Sequence, residues 1–121
     1  MDVMHPVCCG IDVHQKSIVC CILDGPLTSN EPKKYQTTFG TTTKELKAAL
    51  DWLLEHQVTH VFFESTGQYW IPLFNIFSDS DLELILANPQ HIKNVPGRKT
   101  DVKDAEWIAQ LGRCGLINQS Y

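Results

Sequence analysis

The stretch Cys9-Gly10-Ile11-Asp12-Val13-His14-Gln15-Lys16-Ser17 decides how the rest of the chain is read. An apolar run from Val7 to Val13 is interrupted by one carboxylate, Asp12, and ends in a polar turn. Apolar character resumes from Ile18 to Leu23, which predicts a strand, a tight turn and a second, antiparallel strand. Alternation places Val7, Cys9, Ile11 and Val13 on one face and Cys8, Gly10, Asp12 and His14 on the other. A lone carboxylate desolvated on such a strand costs about several kcal/mol unless a cation, hydrogen bonds or water compensate it. Asp12, beside a glycine, is therefore a candidate metal ligand; the plain alternative is an edge-strand acid facing solvent.

Downstream the pattern changes to alternating strands and helices. Asp24-Gly25-Pro26 to Lys34 reads as a loop, and Tyr35 to Phe39 as a third strand ending at Gly40. Thr42 with Glu45 three residues later matches a capping box, followed by Leu46, Leu50, Leu53 and Leu54 at helical spacing with Ala49 between them. That helix should end near His56. Val58 to Phe63 is a continuous apolar run, as in a buried parallel strand, and terminates in Glu64-Ser65-Thr66-Gly67. A helix over Tyr69 to Phe77 follows, with Pro72 tolerated only in its first turn and Ser65 or Thr66 as its cap. Leu82 to Ala87 is a fifth strand, closed by Asn88-Pro89. Thr100 or Asp101 can cap a last helix through Ala105, Ile108, Ala109 and Leu111, ending around Gly112 to Gly115. The order βββαβαβα is an antiparallel meander feeding two right-handed crossovers.

Size and composition set bounds on this architecture. A chain of 121 residues, 43% hydrophobic and 20% charged, holds one core and one soluble domain, residues 1–121. No apolar run is long enough to span a bilayer, and the N-terminus is not a signal peptide, so a cytoplasmic location with no membrane partner is expected. The five cysteines are odd in number and form no Cys-x-x-Cys pair, which disfavours zinc and a disulfide framework. Four of them, Cys8, Cys9, Cys20 and Cys21, fall in the first two strands, where reduced cysteine packs as a small hydrophobe.

Four acids fall where strand ends or a helix start could bring them together: Asp12, Glu64, Asp101 and Asp104. Asp101 and Asp104 are three apart, on one face of a helix's first turn. Four converging carboxylates repel unless cations intervene, and hard oxygen ligands suit Mg²⁺ or Mn²⁺ and phosphodiester chemistry. Taken singly, Asp101 is as well explained by the helix dipole and Asp104 by a solvated face. The formal charge of −4 equals the charge of these four acids, so the remaining chain is balanced. The densest basic patch, Lys93, Arg98, Lys99 and Lys103, flanks two of the acids and suits phosphate contacts, as does Lys16 beside the first motif. Gln68 also lies next to a motif. Tyr69, Trp70 and Trp107 read as core or interface residues.

Gly10-Ile11-Asp12-Val13-His14-Gln15-Lys16, Phe63-Glu64-Ser65-Thr66-Gly67, Asn88-Pro89 and Gly97-Arg98-Lys99-Thr100-Asp101-Val102-Lys103-Asp104-Ala105 together resemble the DEDD-type bacterial insertion-sequence transposases. The N-terminal domain of that family is similar to the RuvC Holliday-junction resolvase. The resemblance implies an RNase H-like fold and places the four acidic positions on Asp12, Glu64, Asp101 and Asp104 as Mg²⁺-binding catalytic residues. It further implies a DNA recombinase acting on DNA, guided in some members by a structured RNA, and a homo-oligomer in the full-length protein. Family members carry a C-terminal domain with a catalytic serine, so this chain is expected to be a domain of a longer protein and half of a composite site. Two competitors remain. An actin-like or sugar-kinase nucleotide phosphotransferase shares the strand-borne Asp and the meander, but Val13-His14-Gln15 stands where its phosphate-binding hairpin needs glycine and a hydroxyl residue. A non-catalytic nucleic-acid-binding or oligomerisation module would use the acids only structurally.

Overall fold

The computed structural model describes residues 6–25, 32–65, 67–87 and 104–115. Among these, the elements run β1 Val7–Val13, β2 Ser17–Asp24, β3 Lys33–Gly40, α1 Thr43–Glu55, β4 His60–Ser65, α2 Trp70–Phe77, β5 Glu83–Leu86 and α3 Asp104–Arg113. The strands form one mixed sheet in the order β3-β2-β1-β4-β5. The first three are antiparallel, whereas β4 pairs in parallel with both β1 and β5. The strand that carries Asp12 is thus the central one.

Both faces of β1 are buried, and the expected alternation holds. Cys9, Ile11 and Val13 join Ile18, Cys20, Ile22, Val61 and Phe63 beneath Leu46, Ala49 and Leu53 of α1 and Leu73 and Phe77 of α2. On the opposite face Cys8 and Phe62 pack against Trp107, Ile108 and Leu111 of α3, and Cys21 and Leu23 against Ala105 and Ala109. Each fully buried Leu, Ile or Phe contributes about 1.5–3 kcal/mol, which makes this two-sided packing the main stabilising term.

Gly10 sets how closely α3 approaches the sheet. A Cβ there would fall onto the backbone of Ala105 and Ala109, so the helix rests directly on β1. At the far end, Arg113 is buried and its Nη1 donates to the carbonyls of Pro6 (2.8 Å) and Gly25 (3.3 Å). These contacts make α3 antiparallel to β1: its C-terminal end meets the start of β1, and its first residue, Asp104, lies toward the end that carries Asp12.

The elements depart from the sequence expectation at several edges. β3 is longer than Tyr35–Phe39, because Lys33 and Lys34 pair with Asp24 and Leu23 even though they carry no apolar signal. β4 starts at His60 rather than Val58; the Val58 amide instead bonds the carbonyl of Leu53, past Gln57, whose φ of 61° turns the chain out of α1. Leu54, read as part of the apolar stripe of α1, is 46% exposed, because the buried line runs through Leu46, Ala49 and Leu53. The cap of α2 is Tyr69, which makes no side-chain capping bond, rather than Ser65; Thr66 lies outside the described residues. Pro72 does fall in the first turn. At α1 the Thr42 hydroxyl accepts from the Glu45 amide as expected, but the Glu45 carboxylate reaches back to the amide of Gly40.

Candidate active site

Asp12 and Glu64 are paired across the β1–β4 ladder. Residues opposite one another on parallel strands share a face, and neighbouring strands lie about 4.8 Å apart, so both carboxylates leave the sheet side by side. That face is the one α3 covers, since Gly10 and Phe62, two pairs earlier in the same register and so on the same face, touch α3. Both acids sit at the C-terminal ends of parallel strands, the end where open α/β sheets gather their ligands. Asp12 is 8% exposed and Glu64 half-buried.

Among the described residues, His14 hydrogen-bonds the Asp12 carboxylate: His14 Nε2 lies 3.0 Å from Oδ2. Because a carboxylate only accepts, Nε2 is the nitrogen that carries the hydrogen. His14 follows the end of β1, and its amide donates to the carbonyl of Ser17 (2.9 Å), closing the hairpin turn. The His14 side chain is about half exposed, against 12% for that of Asp12, so the imidazole covers the acid on its solvent side. Lys16 is exposed on the same turn, whose Gln15 carbonyl accepts from the Thr41 hydroxyl (3.1 Å).

Of the four acids nominated from sequence, the structure brings two together directly. Asp104 is exposed at the first residue of α3, at the end of the helix nearer Asp12 and Glu64. Asp101 lies outside the described residues, as do Lys93, Arg98, Lys99 and Lys103 and the predicted cap of the last helix. Among the described residues no three His, Cys, Asp or Glu side chains form a group able to hold a metal. Sequence reading missed the tight seat of α3 on Gly10, which a glycine next to a strand acid only hinted at. The His14 bond to Asp12 was legible as a shared strand face, two residues apart.

Four of the cysteines are packing residues of the core. Cys8, Cys9, Cys20 and Cys21 are fully buried and unbridged. Burial pushes the thiols of Cys8 and Cys21 up to about 12 and that of Cys9 well above its ordinary value, so none is a thiolate at neutral pH. Trp107 is core, as expected, whereas Tyr69 is 43% exposed. A shallow groove of about 420 Å³ between α1 and α2, lined by Lys47, Leu50, Asp51, Asn75, Ile76 and Asp79, lies on the opposite side of the sheet from the paired acids. Among the described residues no helix is long and apolar enough to cross a membrane.

A meander continued by parallel strands, with helices on both faces and acids at the ends of its central strands, is an RNase H-like α/β domain of the RuvC type. Solved structures share the fold at low identity. RuvC from Thermus thermophilus aligns at a TM-score of 0.65 with 13% identity, over 94% of this chain and 99% of that one. The same RuvC in complex with a Holliday junction substrate gives 0.63 with 13% identity, over 96% and 100%. The Fowlpox virus resolvase bound to substrate Holliday junction DNA gives 0.53 with 18% identity, over 77% and 67%. Curated protein sequences return no match. Residues 9–120 match the family model of the IS110-type DEDD transposases, described as a transposase, and the chain belongs to that family.

Proposed function

We propose that this chain is the metal-binding catalytic domain of a DNA transposase, acting in DNA strand cleavage and transfer. The observation that carries the proposal is the pairing of Asp12 with Glu64 at the C-terminal ends of adjacent parallel strands, under the amino end of α3. The donor set fits a hard divalent cation such as Mg²⁺ or Mn²⁺: two carboxylates side by side on strands, one of them almost wholly buried, with oxygen as the only donor type. Asp12 and Glu64 would hold the ion, with Asp101 and Asp104 completing the set from the start of the last helix. When bound, the cation would neutralise charge at the scissile phosphate and orient the attacking group.

The remaining roles belong to this chain's own side chains. Strand positions fix Asp12 and Glu64 more rigidly than loops would, so the acids need little reorganisation to bind charge. Lys16, on the turn beside Asp12, would contact the phosphate backbone; Lys93, Arg98, Lys99 and Lys103 would extend that contact along the DNA. A serine from a second domain, as the family resemblance implies, would supply the nucleophile, making these acids one half of a composite site. A structured RNA, a homo-oligomeric assembly and a cytoplasmic location belong to the same proposal.

The test is binding of a labelled four-way DNA junction by the chain in Mg²⁺ and in EDTA, with Asp12→Asn and Glu64→Gln alongside. Mg²⁺ should raise affinity at least about tenfold in the wild type, and either substitution should abolish the gain. Binding that ignores both Mg²⁺ and the substitutions would make the domain a non-catalytic nucleic-acid module. Saturable ATP binding instead would favour a nucleotide phosphotransferase.

A further inference from the structure

We propose that His14 is a positioning residue for Asp12, holding one carboxylate oxygen so that the other is presented to the divalent cation; this rests on the metal-binding function proposed above. The contact is direct, 3.0 Å from Nε2 to Oδ2, and it joins the strand acid to the residue just past the strand's end. A carboxylate on a strand can swing about its side-chain torsions, and a hydrogen bond to one oxygen removes that freedom. Groups of this kind, bonded to a metal ligand rather than to the metal, fix its orientation and typically contribute about 10–100-fold to metal affinity.

The backbone supports this role. His14 is not a loose turn residue: its amide closes the hairpin onto the Ser17 carbonyl, and Thr41 ties the next residue through the Gln15 carbonyl. Those bonds hold the turn, and with it the imidazole, over the almost buried Asp12 carboxylate. With Nε2 carrying the hydrogen and Oδ2 engaged, Oδ1 has no hydrogen-bond partner among the described residues. It is the oxygen that a cation would take. His14 therefore selects how Asp12 binds, through one oxygen rather than two, and is not itself a ligand.

The experiment is a Mn²⁺ titration of the intact chain, read by loss of the free-ion electron paramagnetic resonance signal, in wild type, His14→Ala, His14→Gln and Asp12→Asn. Glutamine can place an N–H where Nε2 stands. His14→Ala should weaken binding by about tenfold or more while His14→Gln retains most of the affinity, because the N–H rather than the ring is what matters. Equal binding by wild type and His14→Ala, or a His14→Gln as weak as His14→Ala in a folded protein, would overturn the proposal. No binding by wild type would instead remove the metal site itself and this role with it. Imidazole nitrogen NMR gives a readout independent of metal. The wild type should show the Nε2–H form, perturbed in Asp12→Asn, and an Nδ1–H form would contradict the geometry.

Discussion

Asp12 and Glu64 stand opposite each other in a parallel ladder, each one residue short of the end of its strand. Nothing in sheet formation asks for two acids at that pair. Like charges on adjacent strands oppose pairing, and the neighbouring pair on the same face, Gly10 with Phe62, carries no charge. A buried acid that costs stability and sits at a strand end is the pattern expected of a functional site, where local rules are broken for chemistry.

Gly10 controls whether α3 can complete that site. Gly10→Ala should drive a methyl group into the backbone of Ala105 and Ala109, which cannot move aside as a flexible side chain would. A loss of about 3 kcal/mol or more is expected by overpacking, measured as a lower denaturant midpoint. Any folded fraction should also bind Mn²⁺ more weakly, because the amino end of α3 is displaced from Asp12.

Arg113 anchors the other end of the same helix. Replacing it with Met keeps the volume but leaves the carbonyls of Pro6 and Gly25 without the guanidinium. Stability should fall by about 1–3 kcal/mol, the cost of unsatisfied buried acceptors. Thermal unfolding followed by circular dichroism would measure it. A neutral result would mean that water replaces the guanidinium at that end.

The buried thiols give a pH signature. Cys8 and Cys21 have thiols raised from 9.0 to about 12 by burial, so the folded chain keeps protons that the unfolded chain releases. Their contribution is fully present below about pH 9 and is lost as pH rises toward about 12, so stability should decline across that window. In the native state at neutral pH a thiol reagent should modify Cys114, which is partly exposed, well before Cys8, Cys9, Cys20 or Cys21. Fast labelling of four or five thiols would contradict the packing.

Much of this was legible from residue order, and the parts that were not have physical causes. Alternation in Val7–Val13 put Asp12 on the Gly10 face, and that face is where α3 lies. The apolar run ending at Glu64 was readable as a parallel strand because it is buried on both sides. Lys33 and Lys34 were not readable as strand, since an edge strand needs only backbone partners and β2 supplies them. Leu54 misled because an apolar residue at helical spacing need not point inward when Leu46, Ala49 and Leu53 already fill the line. The span of α2 was read to within one residue, but its cap was not, because Tyr69 caps without a side-chain bond. Asp104 was read as part of the first turn of a helix capped by Thr100 or Asp101; that cap lies outside the described residues, and the described helix runs from Asp104. How close it comes to Asp12 depends on the seat of α3 over Gly10, a tertiary relationship that no local pattern encodes.

The proposed metal site has Asp12 and Glu64 holding one divalent ion between them. Its most direct test is anomalous diffraction from crystals grown with Mn²⁺, with Asp12→Asn as the control. A peak should appear between the two carboxylates, about 2.1 Å from an oxygen of each, and vanish in the control. Full-occupancy Mn²⁺ elsewhere on the chain, with none between Asp12 and Glu64, would rule out this pair as the metal site.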